Sequence, residues 1–340
     1  MKSPFTEKNM SIHKELRKLK FRKEEFQILS HTYICEETGE KFEDDLFSNL
    51  NYNQLLNQYR VKHSIPFPEQ IISIRMKYDI SAIKMSEILG FGPNTYRQYE
   101  SGEVPNQSNS RLIQLADDPH EFKKLVDLCN TIDNRFKNRL YHKIDLVLDK
   151  QKSYKMVNQL ENYLFESCMP NIYTGYKTPS LAKFTEMVVY FTERLEPWKT
   201  ILNKLLFYAD FTMFKYSAYS ISGAQYRAIQ LGPVPINFDS IFEYIARQDH
   251  VEIHYTTFSN GIGEQFKPKS NRMFKPGMFS EKELNILELI TKMFYKSSAK
   301  KVIDISHEES AWKENEKERK IIDYRYAFEL RKVDQFSELN

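Results

Sequence analysis

The spacing of apolar positions changes along the chain, and each change marks an element. Ser11 to Glu25, rich in Lys and Arg, predicts a short basic helix. Phe26 to Cys35 alternates loosely through Thr32, Tyr33 and Ile34. The turn Glu37-Thr38-Gly39-Glu40 then leads to Lys41-Phe42, which together read as a small β-hairpin. A two-stranded hairpin is marginal alone, so it must lean on a neighbouring domain or pair across a dimer. From Pro68 the period becomes helical. Ile71, Ile72 and Met76 mark a first helix ending near Tyr78-Asp79, and Ser81 caps a second over Ala82 to Leu89. Gly90-Phe91-Gly92 breaks that helix. Pro93-Asn94 starts a third through Thr95 to Glu100, Ser101-Gly102 stops it, and a fourth spans roughly Ser108 to Leu115.

Pro119 ends this segment. His120 to Glu166 has neither Pro nor Gly and repeats apolar residues at helical spacing (Leu125, Leu128, Ile132, Phe136, Leu140, Ile144), predicting two or three long helices. Cys168 to Ser180 reads as a linker. Beyond it, Ser180 caps a helix to about Arg194, and Trp198 to Phe214 is a buried central helix interrupted by Lys204 and Asp210. Leu231 to Pro235 reads as a rigid turn, Phe238 to Ala246 as a helix, and Val251 to Thr257 as a strand pairing with Glu264 to Pro268. Ser280 and Glu283 have capping-box spacing before a helix from Glu281 to Tyr295. Lys300 to Ile305 and Tyr324 to Phe328 fit shorter helices. The predicted class is mainly α, with four parts. These are an N-terminal hairpin module (1–65), a repressor-like helix-turn-helix (66–118), a helical connector (119–178) and a mostly helical C-terminal domain with a small β element (179–340).

Composition narrows the class. With 340 residues, 41% hydrophobic and 28% charged, the chain has material for more than one core. Its 24 Phe and 21 Tyr are accounted for by aromatic cores. No run approaches eighteen apolar residues, and MKSPFTEKNM is not followed by a hydrophobic stretch, so neither a membrane span nor a signal peptide is expected. Cys35, Cys129 and Cys168 are too far apart for a disulfide framework or a chelating pair, and His31 is the one His near Cys35. The expectation is a cytoplasmic protein with no metal and no cofactor. A net charge of +3 says little, but its distribution says more. Ser11 to Lys23 has six Lys or Arg against one Glu, and His120 to Leu160 has nine basic against five acidic residues. The stretch from Pro66 to Asp118 has five against seven, so these flanks would supply phosphate attraction on DNA.

Two short helices around a glycine-containing turn are what a helix-turn-helix requires. The third helix exposes Asn94, Thr95, Arg97 and Gln98 near its N-terminal half, with Asn94 and Gln98 four apart on one face. Asn and Gln pair bidentately with adenine, and Arg97 reaches guanine or a phosphate. Ser81, Lys84 and Tyr99 are expected as positioning contacts. The runs Ile80 to Gly90 and Thr95 to Gly102 resemble the repressor-type helix-turn-helix of the Xre family, in particular its MqsA-like antitoxin branch. The resemblance implies base reading by Asn94 and Gln98. The hairpin around Tyr33 to Phe42 is also similar to that branch's N-terminal module, which often carries paired zinc-binding cysteines. The pairs are missing here.

No catalytic motif survives inspection. His307-Glu308-Glu309 is not HExxH, Ser222-Gly223 is not a nucleophile elbow, Gly232-Pro233 is not a phosphate loop, and Gly261-Ile262-Gly263 is not a dinucleotide fingerprint. No enzyme is expected. The ordered motifs Lys204 to Asp210, Ser222 to Tyr226, Gly232 to Pro235, Ser306 to Trp312 and Ile322 to Tyr324 are instead similar to the Panacea (SocA-like) antitoxin domain. That resemblance implies a binding module that neutralises a cognate toxin, usually encoded by a neighbouring gene. Tyr208, Asp210, Tyr226, Pro233, His307 and Trp312 are expected to hold its scaffold, and an Asp210–His307 pair is one candidate, because buried polar groups need partners. The two resemblances together imply an antitoxin that represses its own operon as a homodimer on palindromic operator DNA. A transcription regulator whose C-terminal domain senses a ligand or another protein is the alternative.

Overall fold

The computed structural model describes residues 1–166, 169–259 and 261–338, and the chain divides into two compact units, Met1–Gln159 and Leu160–Asn340. The first unit opens with an antiparallel hairpin of two eleven-residue strands, β1 (Ser11–Phe21) and β2 (Glu24–Ile34), with β3 (Lys41–Phe42) added through Tyr33 and Ile34. The sequence predicted a helix at Ser11 to Glu25, and this is corrected. Its Lys, Glu, Leu and Arg are good helix formers, but local preference yields to cross-strand pairing and to an apolar face, Leu19 and Phe21, packed on the neighbouring core. The predicted hairpin at Phe26 to Phe42 exists as the short β2–β3 pairing. The long hairpin turns at Arg22 and Lys23, both with positive φ (47° and 72°), the backbone that matches strand twist in a two-residue turn.

An unpredicted helix, α1 (Asp45–Lys62), covers the far edge of β2. Its apolar residues Leu55, Leu56 and Tyr59 join Phe26, Ile28, Ile65 and Val104 in one cluster. Its amides replace a strand. Asn51 accepts from His31 N–H (2.8 Å) and donates to His31 C=O (2.9 Å). Gln54 does the same for Leu29 at 3.1 and 3.0 Å, and Gln58 donates to Gln27 C=O at 2.9 Å. Leu29 and His31, alternate residues of that edge, are thus satisfied by side chains, and Gln27 through its C=O.

The helices α2 (Pro68–Lys77), α3 (Ala82–Ile88), α4 (Thr95–Glu100) and α5 (Gln107–Leu115) follow where the periodicity placed them. Next come α6 (Pro119–Leu128) and α7 (Asn134–Asp149). Ile71, Tyr78, Met85 and Tyr96 share one buried cluster with Phe122, Val126, Leu140 and Ile144. Pro119 thus opens α6 within a continuous core. The predicted long helices are completed by α8 (Gln151–Phe165), which carries the chain into the second unit.

In that unit α9 (Leu181–Leu195) and α10 (Lys199–Ser217) lie as expected, and α10 is buried along nearly its whole length. Two hairpins, β4 (Tyr226–Ile229) with β5 (Gly232–Pro235) and β6 (Val251–Phe258) with β7 (Gly261–Pro268), flank α11 (Phe238–Arg247). Leu231 to Pro235, predicted as a turn, is mostly the strand β5. Then come α12 (Glu281–Phe294), α13 (Ala299–Glu308), α14 (Ser310–Lys313), a 3₁₀ turn (Tyr324–Glu329) and α15 (Arg331–Glu338). Asn171 to Ser180, predicted as a linker, is a packed strap. Gly175 C=O accepts from Ser220 N–H (2.9 Å), and Ser180 N–H donates to Ser222 C=O (3.0 Å). Gly175 has φ 57°, and a Cβ there would meet Ser220 at 2.6 Å, so the strap requires glycine at this point. Cys168 lies outside the described residues. No helix among them is long and apolar enough to cross a membrane.

The amide edge of α1 gives a direct test. Gln54→Leu leaves Leu29 N–H and C=O without partners at a largely buried edge, at about 1–3 kcal/mol for each group left unpaired. Denaturant unfolding should show a loss of at least about 1 kcal/mol. An unchanged midpoint would mean that the amide contributes nothing.

Candidate functional site

Two surfaces of opposite character emerge. The first is α4 with its approach. Tyr96 and Tyr99, one turn apart, both point inward. The Tyr96 hydroxyl donates to Ile71 C=O (2.8 Å), and the Tyr99 hydroxyl accepts from the Asn109 amide (2.8 Å). Ser86 Oγ accepts from Tyr96 N–H (3.0 Å). These contacts fix the rotation of α4 and turn Asn94, Arg97 and Gln98 outward, where all three are exposed. Asn94 occupies the cap position without a capping hydrogen bond. Among the described residues the side chains of Asn94, Arg97 and Gln98 make no recorded hydrogen bond or ion pair, so their polar groups face solvent.

The predicted flanking contacts separate. Ser81 is exposed and caps α3 through Lys84 N–H (3.2 Å). Thr95 is half-buried beside Gly92. Lys84 pairs with Glu87 at 2.7 Å and lies over the Phe136 ring, so its charge is engaged. Tyr99, expected to touch the DNA backbone, is 5% exposed and edge-on to Phe91, because its ring completes the core. Sequence reasoning missed two arginines that hold the loop after α4. Arg22 donates to Val104 C=O (2.5 Å) and Pro105 C=O (2.9 Å), and Arg60 donates to Gly102 C=O at 2.5 Å. Arg60 is itself buried and lies over the Phe67 ring. No local pattern distinguishes these from surface arginines.

At the N-terminus, Cys35 is buried and its thiol is pulled down to about 6, first by the Ser3 hydroxyl, then by Thr38 and Thr6. One thiol ringed by hydroxyls is a poor zinc set. Among the described residues no three His, Cys, Asp or Glu come together to hold a metal.

The second surface is turned inward, in the Leu160–Asn340 unit. Asp210, fully buried on α10, accepts from Ile221 N–H (2.8 Å), Ser222 N–H (2.8 Å), Ser222 Oγ (2.5 Å) and the Tyr226 hydroxyl (2.8 Å). Burial pushes its carboxyl up, and these four donors oppose the shift. Its partners are therefore Ser222 and Tyr226, and the Asp210–His307 pair does not form. His307 stacks on Trp312 (centroids 3.7 Å apart, 12°), while Trp312 Nε1 donates to Ile229 C=O at 2.7 Å. Burial lowers the His307 pKa, and Nε2 is buried without a partner. Pro233 is buried in β5.

Tyr208 donates to Glu309 (3.1 Å), which also accepts from Arg331 and Lys332 N–H and so anchors the start of α15. Glu309 stands in the His-Glu-Glu string, but only the structure shows that it points inward. The Tyr324 hydroxyl donates to Ala224 C=O (2.8 Å), and its ring stacks on Phe211. Lys204 is a buried cation outside this pairing. It is fully buried, its ammonium has no partner, and desolvation pushes its pKa down to about 7. Gly232, with φ 96°, makes room for it, since a Cβ there would meet Lys204 Cε at 2.7 Å and Ser306 Oγ at 2.4 Å. Ser222 is sealed inside, so this cluster holds structure and has no access for a substrate.

Residues 202–313 match the family described as antitoxin SocA-like, Panacea domain. Lys204 to Asp210, Ser222 to Tyr226, Gly232 to Pro235 and Ser306 to Trp312 all fall inside the matched stretch, which supports an antitoxin role in general terms. No curated protein and no solved structure matches the chain.

Lys204 makes stability depend on pH. The folded chain holds its proton only up to about 7, the unfolded chain up to about 10.5. Between these values the unfolded state binds more protons, so stability rises with pH by up to about 1.4 kcal/mol per unit. Below the window the destabilisation is complete. Lys204→Met fills the same space without the charge. It should exceed the parent in unfolding midpoint at neutral pH, with the gap closing as pH rises. A gap that stays constant across this range would exclude Lys204 as its source.

Proposed function

We propose that this chain is the antitoxin of a toxin–antitoxin pair, occluding its toxin by direct binding through the Panacea-type half and repressing its own operon through α3 and α4. The observation that carries the antitoxin role is the match over residues 202–313. What supports the repressor role is the pair of exposed amides, Asn94 and Gln98, one turn apart at the start of a short helix that follows a glycine turn. Each amide can donate to and accept from adenine in the major groove. Arg97 beside them reaches a phosphate or guanine. Palindromic operators place two such helices about one helical turn apart, roughly 34 Å, so the DNA-bound form is a homodimer. Neutralisation is stoichiometric occlusion, without turnover.

Two measurements test the halves separately. Asn94→Ala or Gln98→Ala should weaken operator binding about tenfold or more, since a bidentate contact is worth roughly 1–3 kcal/mol. Binding to scrambled duplex should hardly change, and the same titration should give two chains per duplex. Arg97→Ala should lower affinity for both duplexes and reduce the salt slope by about one. An unchanged operator-to-scrambled ratio in the amide variants would remove α4 as the reader. For the other half, each neighbouring gene product is co-expressed with the full chain, and growth is scored. Rescue should be lost in Asp210→Ala, which strands the Ile221 and Ser222 N–H groups in the core, while operator binding persists. Rescue by none of the neighbours would overturn the antitoxin reading.

A further inference from the structure

A reading surface on DNA needs positive charge, and the helix-turn-helix has little to give. Of its five basic residues, Arg75, Lys77 and Lys84 are paired with Glu100, Asp117 and Glu87. The two basic flanks differ in the same respect. On α6 and α7, Lys123, Lys124 and Lys143 pair with Asp145, Glu121 and Asp79, Lys137 donates to Asp127 C=O, and Arg139 lies over Phe136. Five of that flank's nine basic residues are thus engaged with neighbouring groups.

The hairpin is not. Side chains alternate along a strand, so Lys14, Lys18 and Lys20 share one face of β1, opposite the face that carries Leu19 and Phe21 into the core. All three lysines are exposed, as is Lys23 at the tip. Lys18 and Lys23 make no recorded ion pair among the described residues. Lys20 meets Glu25 only at 3.5 Å, with both side chains largely in solvent, a pairing worth little. Ile12 and Leu16 lie on the same face, giving the lysine stems apolar surface to follow.

The tip is also held in place. Arg22 grips Val104 and Pro105, Arg60 grips Gly102, and Val104 is buried in the hairpin's own cluster. That loop directly follows α4, so the lysine-bearing tip is fixed beside the end of the reading helix.

We propose that Lys18, Lys20 and Lys23 bind the phosphate backbone of the duplex that α4 reads. The proposal rests on the repressor reading above. Pairing of a second copy along the open edge of β1 is the competing use of this surface, and the lysine row opposes it by bringing like charges together.

The experiment titrates the full chain with a duplex of the sequence upstream of its own reading frame, and with a scrambled duplex, from about 50 to 200 mM salt. The variant carries Lys18→Gln, Lys20→Gln and Lys23→Gln. Lys124→Gln on α6 is the control, and circular dichroism checks the fold. The expected result is a salt slope lower by about two to three, at about 0.9 per phosphate contact, with affinity falling equally for both duplexes and the control unchanged. Three results would overturn the proposal: an unchanged slope, a loss confined to the upstream duplex, or a loss of toxin rescue or of dimer mass with DNA binding intact. If Asn94→Ala still loses specificity while the triple variant keeps its slope, only this proposal falls. If the unaltered chain binds neither duplex, the repressor reading falls with it.

Discussion

Asp210 sits at the middle of a helix with no solvent on any side, and a carboxylate there must be met by donors or the fold does not close. Four donors meet it, from Ile221, Ser222 and Tyr226. Satisfying them dictates the path of the chain after α10: a tight reversal at Ser220 to Gly223, then β4 carrying Tyr226 back across the helix. Gly223, with φ 78°, is pressed against Pro179, where a Cβ would meet backbone at 2.8 Å. The strap before α9 is thus locked to the same turn. Tyr324 closes the other side by stacking on Phe211 and donating to Ala224. One buried carboxyl organises the strap, the turn, the hairpin and the C-terminal 3₁₀ segment together.

The first unit solves a different problem. A long hairpin exposes two rows of backbone groups, and only one edge is covered. The amides of Asn51, Gln54 and Gln58 occupy the β2 edge, while among the described residues no further strand pairs with β1, whose row of lysines discourages pairing by mutual repulsion. The arginines that fix this module do so through backbone carbonyls after α4, and the buried Val104 side chain of that loop adds to the fastening. Module and α4 are thereby mutually positioned.

The two units divide polar chemistry in opposite ways. In the C-terminal unit Asp210, Tyr208, Glu309 and Tyr324 find partners in the core, while Lys204 Nζ, His307 Nε2, Asn203 Oδ1 and the hydroxyls of Thr192 and Thr212 have none. In the N-terminal unit a set of exposed polar groups stands out: Asn94, Arg97, Gln98, Lys18 and Lys23. A sealed scaffold suits a module recognised from outside as a shape, whereas open amides and cations suit a surface that meets a polyanion and its base edges.

Much of this was legible in the sequence because it is local. The periods of α2 to α7, the cap at Ser81, the capping box at Ser280 and Glu283, the buried α10 and the β6–β7 pairing follow from spacing, capping chemistry and alternation, which need no distant partner. The exposed amides of α4 were legible for the same reason, since a one-sided apolar stripe assigns the remaining positions to solvent. What depended on contacts far apart in sequence was not. Ser11 to Phe21 has helix-forming residues and became a strand only by pairing with β2. Helix α1 hid because its buried face contains Asn51, Gln54, Asn57 and Arg60, polar residues of which Asn51, Gln54 and Arg60 bond to backbone groups elsewhere. Tyr99 went to the core and Asp210 to Ser222 and Tyr226 because a side chain's partner is set by which elements pack together. The sequence by itself determined the elements whose signals are local and the residues that carry chemistry; the tertiary structure decided that Ser11 to Phe21 is a strand, and which polar groups are matched inside and which are left facing solvent.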